Sequence, residues 1–204
     1  MKDERKAHWQ AVYTTKSADA VSWFQASPER SLSMIEATGL TPPAAVVDVG
    51  GGASGLVDKL VKRGFKVTVL DIADAALAAA RERLGFDAEA VDWQVGDVTQ
   101  WRPAHQYDLW HDRAVFHFLT EREDRRRYVE VLKAALKPGG AAVMATFAED
   151  GPERCSGLPV RRYDVVALAS ELGPEFTLIQ HGRETHVTPW GSEQPFTWAA
   201  FRRA

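Results

Sequence analysis

Residues 46–56, VVDVGGGASGL, combine an apolar run with a cluster of glycines. Residues 46–49 form an apolar, mostly β-branched run of the kind found in buried strands. Gly50, Gly52 and Gly55 follow in the spacing G-x-G-x-x-G, between that run and an amphipathic segment. In this context the glycines permit a tight turn and let a ligand approach the N–H groups of a helix N-terminus. Taken alone, the motif fits a simple glycine-rich turn equally well.

Outward from this stretch, apolar strand-like runs alternate with helical segments. We predict strands at 45–49, 65–71, 91–95, 107–111, 141–147, 176–187 and 196–202, and helices at 55–63, 73–84, 120–136 and 163–172. The alternation predicts a parallel sheet covered by helices on both faces. No helix separates the last two strands, so they should pair antiparallel. The expected class is α/β: a doubly wound, Rossmann-like, seven-stranded sheet, mostly parallel, with a C-terminal antiparallel hairpin.

Helix boundaries are predicted from local capping signals. Ser27-Pro28-Glu29 is typical of a helix start, and Thr120 to Glu123 has the spacing of a capping box. The segment 147–163, after the fifth strand, is rich in turn residues and is expected to be a loop beside the substrate.

Length and composition indicate one ordinary domain. The chain has 204 residues, of which 45% are hydrophobic and 26% charged. We divide it into an N-terminal helical lid, residues 1–40, and a cofactor-binding core, residues 41–204. A net charge of -3 argues against a nucleic-acid partner, and the absence of a long apolar run argues against a membrane span. A single cysteine and a charged N-terminus without a secretion signal favour the cytoplasm.

Three acidic residues lie in or at the ends of the predicted strands. Asp71 ends the second strand, where a carboxylate can accept both hydroxyls of a ribose, although it can also cap the following helix. Asp97 ends the third strand, where it can accept from an exocyclic amine or simply serve in a turn. Asp48 is inside the first strand, and a buried acid requires a partner such as a ligand ammonium or loop N–H groups. All three fall at the edge where open parallel sheets bind ligands.

With these residues in place, the chain resembles the class I S-adenosylmethionine-dependent methyltransferases from about residue 40 to its end. The resemblance is carried by VVDVGGGASGL, VLDIAD (69–74), VGDVTQW (95–101), YDLWHDRAVFHFL (107–119) and LKPGGAAVMATF (136–147). Dinucleotide dehydrogenases share the glycine loop, but they rarely have the L-K-P-G-G turn and they need a substrate domain for which this chain has no room. The resemblance implies S-adenosyl-L-methionine as the cofactor.

The resemblance also implies where that cofactor binds. Asp48, Gly50 and Gly52 would hold its methionine end. Asp71 would bind the ribose hydroxyls, and Ile72 would pack on the adenine.

The remaining implied contacts follow the third and fourth strands. Asp97 and Val98 would lie at the adenine edge. His111, Asp112 and Arg113 would border the sulfonium and the substrate, with Asp112 as a candidate to orient the methionine amine.

Aromatic residues in the first 24 positions are candidates to close over the methyl group. HWQAVYTTK and VSWFQASPERSL resemble the N-termini of small bacterial methyltransferases and of some protein-lysine methyltransferases that begin with W-x-x-x-Y. Tyr13, Trp23 and Phe24 would contact substrate there. Their alternative role is to anchor the N-terminal helices to the sheet, and we expect that role for Trp9.

Few catalytic residues are needed, because the sulfonium already carries a good leaving group. His117 and His111 are the candidates for a general base, since imidazole titrates near neutral pH. His117, between Phe116 and Phe118, also fits a buried structural histidine. The histidines lack metal-ligand spacing, so no metal is expected.

The expected function is transfer of a methyl group from S-adenosyl-L-methionine to a small-molecule acceptor. The segment that follows the fourth strand, His111 to Ala114, lacks the D/N-P-P-Y/F pattern of amine methyltransferases acting on adenine or glutamine. Three alternatives stay open: a protein-lysine N-methyltransferase, an NAD(P)-binding oxidoreductase, and a cofactor-binding protein without catalysis.

Overall fold

The expected sheet is present in a computed structural model of the chain, which describes residues 2–15 and 17–204. Its strands are β1 (Ala45–Val49), β2 (Lys66–Asp71), β3 (Val91–Val95), β4 (Tyr107–Arg113), β5 (Leu136–Phe147), β8 (Phe176–Val187) and β9 (Glu193–Arg203). A separate small hairpin consists of β6 (Arg154–Cys155) and β7 (Leu158–Pro159). The helices are α1 (Lys2–Thr15), α2 (Glu29–Glu36), α3 (Leu56–Lys62), α4 (Asp74–Leu84), α5 (Arg122–Ala135) and α6 (Val165–Leu172).

The seven strands are ordered β3-β2-β1-β4-β5-β9-β8. The first five along the chain are parallel, and β9 runs antiparallel to both β5 and β8. The fold class and the C-terminal hairpin predicted from the sequence are therefore confirmed. The order reverses direction at β1, which lies between β2 and β4. Ligands of open α/β sheets bind at such a reversal, beyond the carboxyl ends of the strands.

The hydrophobic core has two parts because side chains of a strand alternate between its faces. On β1, Val46 belongs to one buried cluster, and Val47 and Val49 belong to the other. Both faces of β1 are thus buried, as expected for a central parallel strand. The glycine loop therefore begins directly at the end of a strand that is packed on both sides.

The structure corrects two local predictions. The capping box at 120–123 does not form: Glu121 is the N-cap of α5 and makes no side-chain capping bond. Glu123 instead accepts hydrogen bonds from Arg126 and Arg127 within the same helix, at 2.7 and 2.9 Å. The 147–163 segment is not only loop, since it contains the β6–β7 hairpin.

The N-terminal residues lie over the carboxyl ends of the strands. Gln10 of α1 accepts a hydrogen bond from the backbone N–H of Ala75 in α4 at 3.3 Å, and Arg5 lies 3.5 Å from Asp97 after β3. The division into lid and core at residue 40 stays a prediction.

Within the described residues, every helix is too short or too polar to cross a membrane.

Candidate functional site

Two recesses adjoin each other where β1, β2, β3 and β4 end. The first, which we call the β2/β3 recess, has a cavity volume of about 110 Å³ and reaches the ends of β2 and β3. The second, the glycine-loop recess, has a cavity volume of about 300 Å³ and follows residues 50–55. The walls of both contain Tyr13, Trp23, Val49, Gly50 and Arg113. The two recesses therefore form one cleft divided by shared side chains.

Most residues singled out in the sequence line this cleft. The β2/β3 recess is lined by Asp71, Ile72, Asp97 and Val98, the glycine-loop recess by Asp48, Phe24 and His111, and both by Gly50, Tyr13, Trp23 and Arg113. Gly52 lines neither recess, but a Cβ there would lie 2.9 Å from Oδ2 of Asp71 and 2.9 Å from the hydroxyl of Tyr13, both of which face the cleft. Asp112 and His117 line neither recess.

The glycine loop is packed too closely for side chains at its first positions. Gly50 has a φ of 65°, and a Cβ there would lie 2.1 Å from Cγ2 of Val115. At Gly51 a Cβ would lie 2.6 Å from Oδ2 of Asp48. Gly55 differs, because a Cβ there would meet nothing within 4 Å. The loop thus has no room for side chains at Gly50 and Gly51, near the strand ends, but has room for one at Gly55, where α3 begins.

Asp48 is held in the cleft by His111 from the neighbouring strand. The parallel register places the two Cα atoms opposite each other, and Oδ1 of Asp48 accepts from Nδ1 of His111 at 2.7 Å. Nε2 of His111 lies 3.0 Å from Oγ of Ser31 in α2. Oδ2 of Asp48 is buried and has no hydrogen-bond partner among the described residues. This oxygen is free to accept from a cationic ligand group, while both nitrogens of His111 are engaged.

Asp71 ends β2 with one oxygen engaged in the turn that follows. Its Oδ1 accepts from the backbone N–H of Ala73 at 2.8 Å. This bond forms a turn before α4 and does not cap the helix, because Ala73 is itself the N-cap and α4 has no side-chain capping bond there. Burial raises the pKa of this carboxyl to about 7, against the lowering effect of its backbone hydrogen bonds, and the charge of Asp48 adds to the increase. A carboxylate desolvated in this way binds hydroxyl donors strongly once it is ionised.

Asp97 combines a turn role with a place in the recess. Its Oδ1 accepts from the backbone N–H of Thr99 at 2.9 Å and from the hydroxyl of the same residue at 2.8 Å. Its Oδ2 makes no hydrogen bond to any described residue but lies 3.5 Å from the guanidinium of Arg5. Both interpretations offered for Asp97 are therefore compatible with its position.

Aromatic side chains close the outer side of the cleft. Trp9 packs edge-on against Trp23 and Phe118, with ring centroids 5.5 and 5.0 Å apart. Nε1 of Trp23 donates to the hydroxyl of Tyr13 at 3.2 Å. Burial, followed by the nearby charge of Asp71, raises the pKa of Tyr13 above its ordinary value, so the phenol is neutral. Phe24 is 36% exposed and lies at the rim.

His117 has the surroundings of a structural histidine. Its ring is fully buried, and Nδ1 accepts from the backbone N–H of Phe147 at 3.2 Å. Burial lowers the pKa of this imidazole to about 3, and the charge of Arg113 lowers it further. The lone pair of Nδ1 is occupied and Nε2 carries the proton, so the geometry does not favour the predicted general-base role.

Asp112 is turned away from the cleft, contrary to the cofactor role predicted for it. Its Oδ1 accepts from the backbone N–H of Val115 at 2.8 Å, and its Oδ2 accepts from the hydroxyl of Tyr128 at 2.5 Å. The carboxyl is fully buried, and burial raises its pKa to about 6. Because side chains alternate along β4, Asp112 points to the opposite face from Arg113 and His111.

Several residues of the site were not singled out in the sequence as cofactor or substrate contacts: Arg5, Ser31, Phe118, Gln194 and Phe196. They come from α1, α2, the segment after β4 and β9, far apart along the chain. Cys155, the single cysteine in the turn-rich segment, was from the sequence a possible substrate contact or a small packed hydrophobe, and it lines the β2/β3 recess. Its thiol is buried, and burial raises its pKa to about 11.

Within residues 2–15 and 17–204, no group of three or more His, Cys, Asp or Glu is arranged to hold a metal ion.

Comparisons with known proteins agree with this geometry. The family model described as a methyltransferase domain matches residues 46–140, which include the glycine loop and strands β1 to β4. Nodulation protein S of Rhizobium tropici is 28% identical over 131 residues, which are 64% of this chain and 54% of that protein. The chain therefore spans about half the length of this curated relative.

Two solved structures share the fold. One is the N-methyltransferase NodS from Bradyrhizobium japonicum in complex with S-adenosyl-L-homocysteine, with a TM-score of 0.73, 17% identity and coverage of 95% of this chain and 97% of that chain. The other is the 1,6-didemethyltoxoflavin-N1-methyltransferase of Burkholderia thailandensis, with a TM-score of 0.72, 20% identity and coverage of 100% and 91%.

Proposed function

This chain belongs to the class I S-adenosylmethionine-dependent methyltransferases, and we propose that it transfers a methyl group from S-adenosyl-L-methionine to a small-molecule acceptor. The family resemblance drawn from the sequence is thereby confirmed. The observation that carries the proposal is the unpaired Oδ2 of Asp48, buried beneath a glycine loop that leaves no room for a side chain. A buried carboxylate oxygen without a donor is costly unless a ligand supplies one.

The described residues fit the cofactor along the whole cleft. Asp48 would accept the methionine ammonium through Oδ2, while His111 fixes the position of its other oxygen. Asp71 would accept the ribose hydroxyls at the end of β2. Ile72 and Val98 offer apolar contacts in the β2/β3 recess for the adenine, with Asp97 at its edge.

The cofactor supplies an electrophilic methyl group: an acceptor lone pair forms the new bond to its carbon while the C–S bond breaks and its electrons remain on sulfur. The protein's part is to exclude water and hold the acceptor in line. Trp9, Tyr13 and Trp23 form the cover that would do this. A general base is not required for an acceptor whose nucleophile is already deprotonated.

A small acceptor is favoured over a protein lysine by the charges at the cleft. A lysine ammonium would need an acidic or purely aromatic approach, whereas Arg113 places a cation beside Trp23 in the wall of both recesses. The carboxylates of the β2/β3 recess, Asp71 and Asp97, are the ones proposed to bind the cofactor. The dehydrogenase alternative is disfavoured by β9, since the sheet ends in the antiparallel hairpin typical of methyltransferases.

The test is calorimetric titration with S-adenosyl-L-homocysteine, with NADH in parallel. We expect binding of S-adenosyl-L-homocysteine in the micromolar range and none of NADH; binding of NADH alone would overturn the proposal. A second comparison uses 5′-methylthioadenosine, which lacks the amino acid portion. Wild type should prefer S-adenosyl-L-homocysteine, and Asp48→Asn should lose most of that preference.

A further inference from the structure

Arg113 presents unused hydrogen-bond donors in the wall between the two recesses. Its Nη1 donates to the backbone carbonyl of Trp23 at 2.9 Å, and its guanidinium lies over the ring of Phe196 at 5.3 Å from the centroid. Nε and Nη2 are buried and have no hydrogen-bond partner in the described part of the chain. These two nitrogens form one side of the planar fork, the side that binds a carboxylate with two parallel hydrogen bonds.

Among the described residues, no acidic side chain hydrogen-bonds this fork. Glu184 attracts the guanidinium electrostatically, but its oxygens accept from Trp198 at 2.7 Å and Gln25 at 3.4 Å. Asp48 attracts it as well, but its Oδ1 is held by His111, and its Oδ2, which is also unpaired, makes no hydrogen bond to the guanidinium. Burial lowers the pKa of Arg113 to about 10, which leaves it charged at neutral pH.

A buried cation with an empty fork is costly for the protein alone. The cost is recovered when an anion enters, because the charge pair then forms away from water. The walls around the fork are apolar and flat: Trp23, Phe147 and Phe196 line the same recess. Their rings suit a planar, unsaturated body more than a flexible polar one.

We infer that the methyl acceptor is a small planar carboxylic acid whose carboxylate binds the Nε and Nη2 side of Arg113 while its flat body lies among Trp23, Phe147 and Phe196. This inference rests on the proposed function and names its substrate class. Trp23 of the N-terminal cover holds the guanidinium through its backbone carbonyl and lines the recess beside the fork.

A carboxylate at Arg113 has a second conceivable source, the methionine part of the cofactor. The two sources differ in a measurable way. If the acceptor supplies the carboxylate, replacing Arg113 weakens binding of acids and leaves the affinity for S-adenosyl-L-homocysteine nearly unchanged. If the cofactor supplies it, the opposite holds.

The experiment measures binding to the full-length protein saturated with S-adenosyl-L-homocysteine. The probes are benzoate, cinnamate and indole-3-carboxylate, each compared with its primary amide, which has the same shape without the charge. Wild type should bind at least one acid roughly tenfold or more tighter than its amide. Arg113→Met should reduce this ratio to about twofold or less, and Arg113→Lys, which keeps the charge but loses the fork, should fall between.

Arg162→Met is the matched control, because Arg162 contacts Gly151 and Glu153 outside the cleft. It should retain the acid preference of wild type. Equal affinity for acids and amides in wild type, or no binding of any acid, would overturn the inference, and this comparison needs no variant to fold. A tenfold loss of S-adenosyl-L-homocysteine affinity in Arg113→Met, with unchanged acid binding, would also overturn it. Failure of wild type to bind S-adenosyl-L-homocysteine at all would instead reject the proposed function.

Discussion

Nδ1 of His111 lies 2.7 Å from Oδ1 of Asp48, and the strands that carry the two residues are hydrogen-bonded neighbours in register. The hydrogen bond from His111 stabilises the buried carboxylate of Asp48 and fixes its Oδ1. Its Oδ2 remains available to accept a hydrogen bond from a ligand. We therefore assign His111 to positioning Asp48.

Replacing His111 should weaken cofactor binding. His111→Phe removes the donor to Oδ1, so Asp48 loses its fixed orientation and the affinity for S-adenosyl-L-homocysteine should fall by roughly tenfold. Ser31→Ala is the control, since it removes only the contact of Nε2 and should change affinity by about threefold or less. The measurement is calorimetric titration at neutral pH. A His111→Phe protein with normal affinity and slowed turnover would restore the general-base interpretation.

Cofactor affinity should depend on pH through Asp71. Its pKa in the free protein is raised to about 7 by burial, and the ionised form is the one that accepts the ribose hydroxyls. Affinity for S-adenosyl-L-homocysteine should therefore rise between pH 6 and 8. Asp71→Ala should bind about 2–3 kcal/mol more weakly at pH 8, with a smaller pH dependence. Identical affinity of wild type and variant would place the ribose elsewhere.

The same raised pKa affects the stability of the ligand-free protein. Between the ordinary pKa of an aspartate and pH 7, the folded state holds a proton on Asp71 that the unfolded state has released. Stability from this group is complete at low pH and is lost as pH rises through about 7. Chemical unfolding of wild type and Asp71→Asn from pH 5 to 8 should show wild type losing stability relative to the variant. A constant difference would contradict the raised pKa.

His117→Gln should mainly destabilise the fold. The pKa of His117 is lowered to about 3, so the unfolded chain binds a proton near its ordinary pKa that the folded state does not. The stability of wild type relative to His117→Gln should therefore be greatest above pH 7 and fall by about 1–2 kcal/mol towards pH 5. Cofactor affinity of the folded variant should match wild type. A variant that is equally stable but turns over slowly would mean that His117 acts in catalysis.

Asp112→Ala should lower stability without touching the cofactor site. The substitution leaves the N–H of Val115 and the hydroxyl of Tyr128 without their acceptor, at a cost of about 2–4 kcal/mol in unfolding free energy. Tyr128→Phe removes one of these bonds and should cost less. Titration of the folded variants with S-adenosyl-L-homocysteine checks the site, and a large loss of affinity in Asp112→Ala would return this residue to the cofactor.

Two glycines of the loop should respond differently to alanine. Gly51→Ala places a Cβ 2.6 Å from Oδ2 of Asp48 and 2.8 Å from Cγ1 of Val69, so it should destabilise the protein by about 1–3 kcal/mol and reduce cofactor affinity at least roughly tenfold. Gly55→Ala meets open space at a φ of -76° and should stay within about 1 kcal/mol of wild type with normal affinity. Equal effects would contradict the packing of the loop.

The layers of the fold and the edge of the sheet where the site lies could be predicted from the amino-acid sequence alone. Strand–helix alternation and the glycine spacing are local patterns, and a helix-free final pair of strands has few ways to join a sheet. Asp48, Asp71 and Asp97 were placed correctly because each is tied to a strand, and parallel strands end at one edge. The beginning of α5 was less well predicted, since Glu123 preferred two arginines of its own helix to the capping bond.

The direction and the partners of the side chains at the end of β4 could be read only from the assembled sheet. Asp112 and Arg113 are adjacent in sequence, yet Asp112 is bonded to Tyr128 in the core, whereas Arg113 lies in the wall shared by the two recesses with its Nε and Nη2 buried and unpaired among the described residues. Ser31 in α2 and Gln194 and Phe196 in β9 are far apart along the chain, so their places in the site could not be predicted from sequence spacing. Local pattern determines which elements form, because propensity and burial act over a few residues. The partners of a charged side chain depend on register and packing, which arise only when the whole sheet is assembled.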